Sequence, residues 1–316
     1  MTGPKVLVVL NRASGVGHAA GIADDLASAL RAGYAGTLDV AIEVVDDHPQ
    51  ARRVAAAFVE SAPLESLLVA AGGGGSLRAV VEGGLGSAAS IHAVRFAALR
   101  MGSGNVVARN LGMPLDPVLG AGLIGESLRS GVTRAVGVIR CRFGDGGSKA
   151  TAYAVTMCGL GQWGRVPGDI ERWRATHASA RRRAAGLVGL ERVNTVEYVG
   201  LGAMRLAAGA IQAARCDLVE LDGRRMRLLA GVVMNMPLPG LPDPRVEIGE
   251  AAAGAVLVPR FGRPIRRRVE PGRPLRLTFI DPTQVEFFLD EDPEHATGSL
   301  EIDIAGTATF VPGHAA

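Results

Sequence analysis

The sequence predicts an open α/β nucleotide-binding domain followed by an antiparallel β-sandwich domain, and three observations carry that prediction. Within the first ~130 residues, short apolar segments of strand length give way to glycine or small polar residues and then to a helical pattern. From about Arg134 onward, short strand-like runs separated by Gly, Pro and Asp turns take over. The chain has 316 residues, 48% of them apolar. That is more than the roughly 100 to 200 residues of a usual domain and enough for two cores.

Lys5 to Leu10 is the first predicted strand and ends in Asn11-Arg12-Ala13-Ser14-Gly15, after which Ala20, Ile22, Leu26 and Leu30 suggest a helix. Leu67 to Ala71 is a buried strand that runs into Gly72-Gly73-Gly74-Gly75-Ser76, and Leu77, Val80 and Val81 resume as a helix. Phe96 to Leu99 is a third strand, leading through Gly102-Ser103-Gly104-Asn105 into a helix that closes at Gly112-Met113-Pro114. Open α/β sheets bind ligands at strand ends, and glycines there let backbone N–H groups approach phosphate oxygens. Each loop alone fits an ordinary turn equally well. Neither a P-loop nor a dinucleotide fingerprint is present, since no Gly-Lys-Ser/Thr follows the glycines and Val107 stands where a third glycine belongs.

The second half supplies Val136 to Cys141, Ala152 to Met157, Met226 to Met234, Leu275 to Ile280, Val285 to Leu289 and Leu300 to Ile304 as strands. A helical insertion is expected near 167–214, and the domains are set at 1–132 and 133–316. The six-residue apolar run at the amino terminus is too short for a signal-peptide core, and no run of ~18 uncharged apolar residues occurs. A cytoplasmic protein is expected. Cys141, Cys158 and Cys216 sit in apolar stretches and read as buried thiols, and the scattered histidines have no zinc spacing.

The net charge of +3 is carried almost wholly by arginine, with Lys5 and Lys149 the exceptions. One cluster (Arg165, Arg172, Arg174, Arg181 to Arg183, Arg192) accompanies Trp163 and Trp173 in the insertion, and another spans Arg260 to Arg276. A solvated face and a patch for anionic lipid headgroups are both compatible with such clusters. Nucleic acid is disfavoured by the scarcity of aromatics for base stacking.

The order and spacing of the three loops resemble the catalytic domain of diacylglycerol kinases and the related bacterial lipid kinases and sphingosine kinases. The hallmarks of that family are Asn-Pro-x-Ser-Gly, Gly-Gly-Asp-Gly-Thr and Gly-Thr-Gly-Asn with an Ala-Arg helix. Here those positions hold Asn11, Ser14 and Gly15; then Gly72, Gly73, Gly74, Gly75 and Ser76; then Gly102, Ser103, Gly104 and Asn105 with Ala108 and Arg109. Cys158-Gly159-Leu160-Gly161, Met234-Asn235 and Leu289-Asp290-Glu291-Asp292 resemble its downstream segments.

The resemblance implies ATP and Mg2+ as cofactors, a lipid hydroxyl as phosphoryl acceptor, and a second domain that serves the lipid substrate. It also implies peripheral contact with the inner membrane face through Trp163, Trp173 and the nearby arginines. The three loops would then bind nucleotide, and Asp290 and Asp292 would be the catalytic candidates, with Asp290 the better placed for the base. In an extended chain residues 290 and 292 share a face; an inert acidic turn is the other reading.

The expected carboxylates are sparse. Gly74 replaces the loop aspartate, and Val106, Gly137, Trp163 and Ala253 stand at further positions where aspartate is common in the family. Losing a charge that polarises metal-bound phosphate costs several kcal/mol of transition-state stabilisation. A lipid kinase with an altered metal arrangement and a noncatalytic nucleotide- or lipid-binding relative therefore both stand. An NAD kinase shares the glycine loop but depends on the same missing aspartate. Metal ligands, the particular lipid and the oligomeric state have no sequence signal.

Overall fold

The computed structural model describes residues 4–14, 21–61, 66–87, 94–102, 105–144, 149–188, 190–212, 215–237, 243, 245–280 and 284–313. The chain divides into two compact units, Met1–Val136 with Thr307–Ala316 and Gly137–Gly306.

In the first unit, β1 (Lys5–Asn11), β2 (Asp39–Val45), β3 (Leu67–Gly72) and β4 (Arg95–Arg100) alternate with α1 (Ile22–Tyr34), α2 (His48–Ser61) and α3 (Gly74–Ser87). α4 (Val106–Asn110) and α5 (Pro117–Arg129) follow. The strands pair in parallel in the order β4-β3-β1-β2. Every residue of β3 is buried, as are Val6 to Asn11 of β1, which is the signature of a parallel sheet covered on both faces. α5 begins at Pro117 behind the cap of Asp116, whose carboxylate accepts the Val118 and Leu119 N–H groups. It lies so close to α1 that a Cβ on Gly33 would fall 2.0 Å from the Gly122 carbonyl oxygen. No larger residue fits there.

The second unit is built of antiparallel strands: β5 (Arg134–Gly144), β6 (Ala150–Ala154), β7 (Met157–Leu160), β8 (Asp217–Leu221), β9 (Arg224–Met234), β10 (Ala253–Pro259) and β11 (Ile265–Val269). β12 (Leu275–Phe279), β13 (Val285–Leu289), β14 (Asp292–Ala296) and β15 (Ser299–Phe310) complete it. They join along the path β14-β13-β7-β9-β8-β12-β15, with β10 and β11 branching from β9, and β5 and β6 from β15. The expected antiparallel, strand-rich second domain is present, and its inward side chains pool into one core, among them Phe287, Leu289, Leu277, Leu300 and Ile302. Among the described residues the insertion is built of helices and begins earlier than expected, as α6 (Gly161–Gly164), α7 (Val166–Thr176), α8 (Ala178–Val188) and α9 (Leu190–Ile211).

Between the strands, Arg140 donates from Nε and Nη2 to the two Asp303 oxygens at 2.9 and 2.6 Å, Arg142 bridges Glu301 and Asp303, and Arg276 reaches Glu301. Arg142 and Arg276 together hold the Glu301 carboxyl below its usual range.

The carboxyl-terminal segment returns to the first unit, whereas the sequence reading kept it in the second. The end of β15 runs parallel to β4, pairing Thr309 with Arg95 and Phe310 with Phe96. The Phe310 and Phe96 rings lie 5.6 Å apart, and the Val311 N–H bonds the Phe96 carbonyl. A short apolar strand with an open parallel neighbour completes the sheet regardless of its place in the sequence.

Candidate functional site

Asn11, Gly72 and Arg100 are the last residues of the adjacent strands β1, β3 and β4 and fall at one end of the parallel sheet, which is why the three loops converge. At the first, the Asn11 side chain accepts the Ala13 N–H at 2.9 Å, and the Ser14 N–H bonds the Asn11 carbonyl. These bonds curl the chain into an Asx turn. The same Asn11 amide donates to the Ser76 hydroxyl at 2.8 Å, and the Ser14 and Ser76 hydroxyls lie 3.3 Å apart. Asn11 and Ser76 are almost fully buried, so they brace the loops against each other, and Ser14 is the partly exposed hydroxyl.

Two glycines make this approach possible. A Cβ on Gly72 would lie 2.5 Å from the Ser76 hydroxyl and 3.0 Å from that of Ser14, and one on Gly102 would lie 2.1 Å from the Gly73 Cα. Asn105 closes the third loop itself: its side-chain oxygen accepts the Gly102 N–H at 3.0 Å and its amide donates to the Gly102 carbonyl at 2.6 Å, from a left-handed φ of 50°. Gly15, Ser103 and Gly104 lie outside the described residues.

The glycine run is shorter as a loop than the sequence suggests. The Gly73 carbonyl accepts the Leu77 N–H at 3.0 Å, so Gly74 and Gly75 already form the first turn of α3. The N–H groups of Gly74, Gly75 and Ser76 therefore stand at a helix amino terminus, where no earlier carbonyl can take them and the helix dipole favours an anion. Gly74, the position of the missing aspartate, is the first helical residue.

In the second unit, the motif segments read separately from the sequence form one hydrogen-bonded knot around Val155–Met157. Asp290 Oδ2 accepts the Val155 N–H at 2.9 Å, and Oδ1 accepts the Thr156 N–H at 2.8 Å, the Thr156 hydroxyl at 2.5 Å and the Met157 N–H at 3.2 Å. The Asn235 amide donates to the Val155 carbonyl at 2.8 Å and to the Gly137 carbonyl. Asp290 is 3% exposed and opens the two-residue turn between β13 and β14, with a left-handed φ of 58°. This corrects the extended geometry expected for residues 290 to 292. The turn directs Asp290 onto buried backbone, where its carboxylate clasps the loop, and leaves Asp292 partly exposed at the start of β14.

Tyr198 of α9 is the neighbour that the sequence reading missed. Burial of its phenol and the Glu291 carboxylate, with a further contribution from Asp292, push its ionisation up against an opposing effect of Arg174. Only its lodging beside the hairpin distinguishes it, and a sequence pattern does not report that.

The resemblance puts aspartates at other positions that are closed here. A Cβ on Gly137 would lie 2.9 Å from the Glu250 carbonyl, Ala253 is fully buried, and the Trp163 ring packs on Gly202. Among the described residues no group of three or more His, Cys, Asp or Glu is placed to hold a metal ion. The donor set of the first unit, N–H groups and hydroxyls, suits phosphate oxygens and does not suit Mg2+.

Residues 5–141 match the family model of the diacylglycerol kinase catalytic domain. The resemblance seen in the three loops holds, and the segment that carries them is lipid kinase-like. Among solved structures, a diacylglycerol kinase from Bacillus anthracis str. Sterne superposes with a TM-score of 0.59 at 15% identity, covering 98% of this chain and 96% of that one. Two further structures from that organism, provisionally assigned as diacylglycerol kinases, superpose with TM-scores of 0.64 and 0.65 at 16% and 15% identity. They cover 98% of this chain and 96% and 97% of their own. At such identities the likeness is one of fold. No curated protein matches the sequence.

Proposed function

We propose that this protein is an ATP-dependent lipid kinase-like protein that transfers the γ-phosphate of ATP to the hydroxyl of diacylglycerol or a related lipid. The observation that supports the reading best is the convergence of Asn11, Ser14, Gly72, Ser76 and Gly102 at the amino terminus of α3. It gathers oriented N–H and hydroxyl donors, the chemistry that holds a polyphosphate. A base must offer a lone pair to the acceptor hydroxyl, and Asp290 has both oxygens occupied by buried donors. Asp292 is the candidate that remains. Because the residues present do not fit Mg2+, no step is assigned to it.

A second reading, a noncatalytic nucleotide- or lipid-binding relative, is favoured by one specific observation: Gly74 leaves the first turn of α3 without an acid. One experiment separates the two. Wild type, Asp292→Asn and Gly74→Asp are assayed with Mg-ATP on a lipid panel and, separately, for ATP binding. Turnover by wild type that Asp292→Asn abolishes supports the kinase. ATP binding without turnover, with activity gained in Gly74→Asp, supports the noncatalytic relative. Absence of nucleotide binding in every form refutes both.

A further inference from the structure

We infer that the outward face of α9, with the adjoining surface of α8, is a seat for the surface of an anionic bilayer. The inference deepens the lipid-kinase reading by naming where a membrane is met, and its test requires no turnover. From Val196 onward every exposed residue of α9 is apolar or glycine. Val196, Val199, Ala203, Met204, Ala207 and Ile211 recur at helical spacing, and Val196, Val199, Met204 and Ile211 are 71, 64, 60 and 76% exposed. At 1.5 Å per residue the stripe is about 22 Å long.

The opposite side of the helix carries the charges. Glu197 is held by Arg174 and Arg181, and Arg205 by Asp169, while Gly202 packs on Trp163 and Gly209 on Gln162. A water-exposed helix normally shows the reverse arrangement, with its apolar side inward. Of the two tryptophans of the expected patch, Trp163 lies beneath α9 against Gly202, and the exposed apolar surface belongs to α9 itself.

The charge beside the stripe selects the occupant. On α8, Leu187 is 86% exposed, and Arg182 and Arg183 are exposed without an ion pair among the described residues. On α7, Trp173 is 43% exposed and stacks on His177 at 3.8 Å. Glu171 is the exposed acid on these helices among the described residues. Between α7, α8 and α9 lies a cavity of about 550 Å³ that Val193 and Val196 line together with the Arg181 and Glu197 pair. It is large enough and apolar enough to take part of an acyl chain. No helix among the described residues is long and apolar enough to cross a membrane. α9 therefore lies in the interface, with apolar residues inserted and arginines at the headgroups.

The test is co-sedimentation of the full chain with phosphatidylcholine vesicles, with and without phosphatidylglycerol, at low and high salt and without nucleotide. Wild type should bind the anionic vesicles and lose affinity as salt rises. Arg182→Glu with Arg183→Glu should weaken binding roughly tenfold or more. Val199→Glu with Met204→Glu should do the same, by about tenfold or more, by placing charge against the acyl region. All four positions are exposed, so circular dichroism and thermal melts should not change. Equal binding by wild type and variants, absence of binding to anionic vesicles, or indifference to salt overturns the inference. A wild-type dimer that Val199→Glu with Met204→Glu converts to monomer, with no vesicle binding, also overturns it, since the face then packs on a second copy. Vesicle binding without phosphoryl transfer refutes the kinase reading alone, and turnover on detergent-dispersed lipid without vesicle binding refutes this inference alone.

Discussion

Asp290→Asn separates a structural clasp from a catalytic base. The carboxylate is 3% exposed and accepts four hydrogen bonds, from the Val155, Thr156 and Met157 N–H groups and the Thr156 hydroxyl. Asparagine keeps one oxygen, which satisfies the Thr156 and Met157 donors, but turns an NH2 group towards the Val155 N–H that sits 2.9 Å from Oδ2. One buried donor loses its acceptor and the remaining bonds lose their charge. Bonds to a charged group contribute about 1.5–3 kcal/mol, and an orphaned buried donor costs about 1–3 kcal/mol. The expected loss is therefore about 2–4 kcal/mol. Asparagine tolerates the left-handed φ of this position, so the backbone adds little. Urea unfolding followed by tryptophan fluorescence is the assay, because Trp163 and Trp173 both report on the second unit. If Asp290→Asn unfolds with wild-type stability while turnover disappears, the clasp is wrong and the residue is the base.

Gly102→Ala should drive a methyl group into Gly73, 2.1 Å from its Cα, and spread the cradle. ATP affinity by calorimetry should fall by about tenfold or more, as a displaced phosphate loop loses several oriented donors. Gly186→Ala, which meets open space on α8, should stabilise by about 0.5–1 kcal/mol. Gly209→Ala would meet Gln162 and Leu229 at 2.7 Å and should destabilise by about 1–3 kcal/mol in the same fluorescence assay. Arg142→Met should remove about 2–3 kcal/mol at pH 7, because it leaves the mostly buried Glu301 and Asp303 carboxylates short of a partner. The folded-state Glu301 carboxyl titrates below its usual 4.5, so its contribution is complete above that pH and fades as pH falls through the lowered value. Urea titrations from neutral pH into the acid range should accordingly show a flatter acid limb in Arg142→Met than in wild type.

The convergence of the three loops was legible because its requirements act on the backbone. Where Gly72 and Gly102 touch Ser76 and Gly73 no side chain is admissible, and an obligatory absence leaves a mark in the sequence. The role of Asp290 left none. Its partners lie more than 130 residues away, and an acid in a turn looks the same whether it faces solvent or a buried loop. The start of α3 at Gly74 was hidden because glycine has poor helix propensity, and the Gly73 carbonyl overrides that by accepting the Leu77 N–H. The insertion was legible as helix, but its polarity was not. Which side of α9 faces outward depends on Trp163 and Asp169 beneath it, and no periodicity encodes that.

Gly74 changes the electrostatics of the cradle as well as its chemistry. An aspartate at the first helical position would itself be stabilised by the helix dipole, by about 0.3–1 kcal/mol. It would also repel a triphosphate unless a cation stood between them. A carboxylate about 5 Å from a phosphate charge, at an effective dielectric of about 20, opposes binding by about 3 kcal/mol per charge. With glycine there, the three N–H groups of the first turn of α3 would meet the phosphates of a bound nucleotide without that repulsion. ATP should consequently bind wild type almost as tightly with EDTA as with Mg2+, and Gly74→Asp should make binding depend strongly on the metal. Nucleotide affinity measured with and without chelator is the check. Wild-type binding that collapses in EDTA would show that other groups recruit the metal, and would remove the electrostatic reason for reading Gly74 as the point where this cradle departs from its relatives.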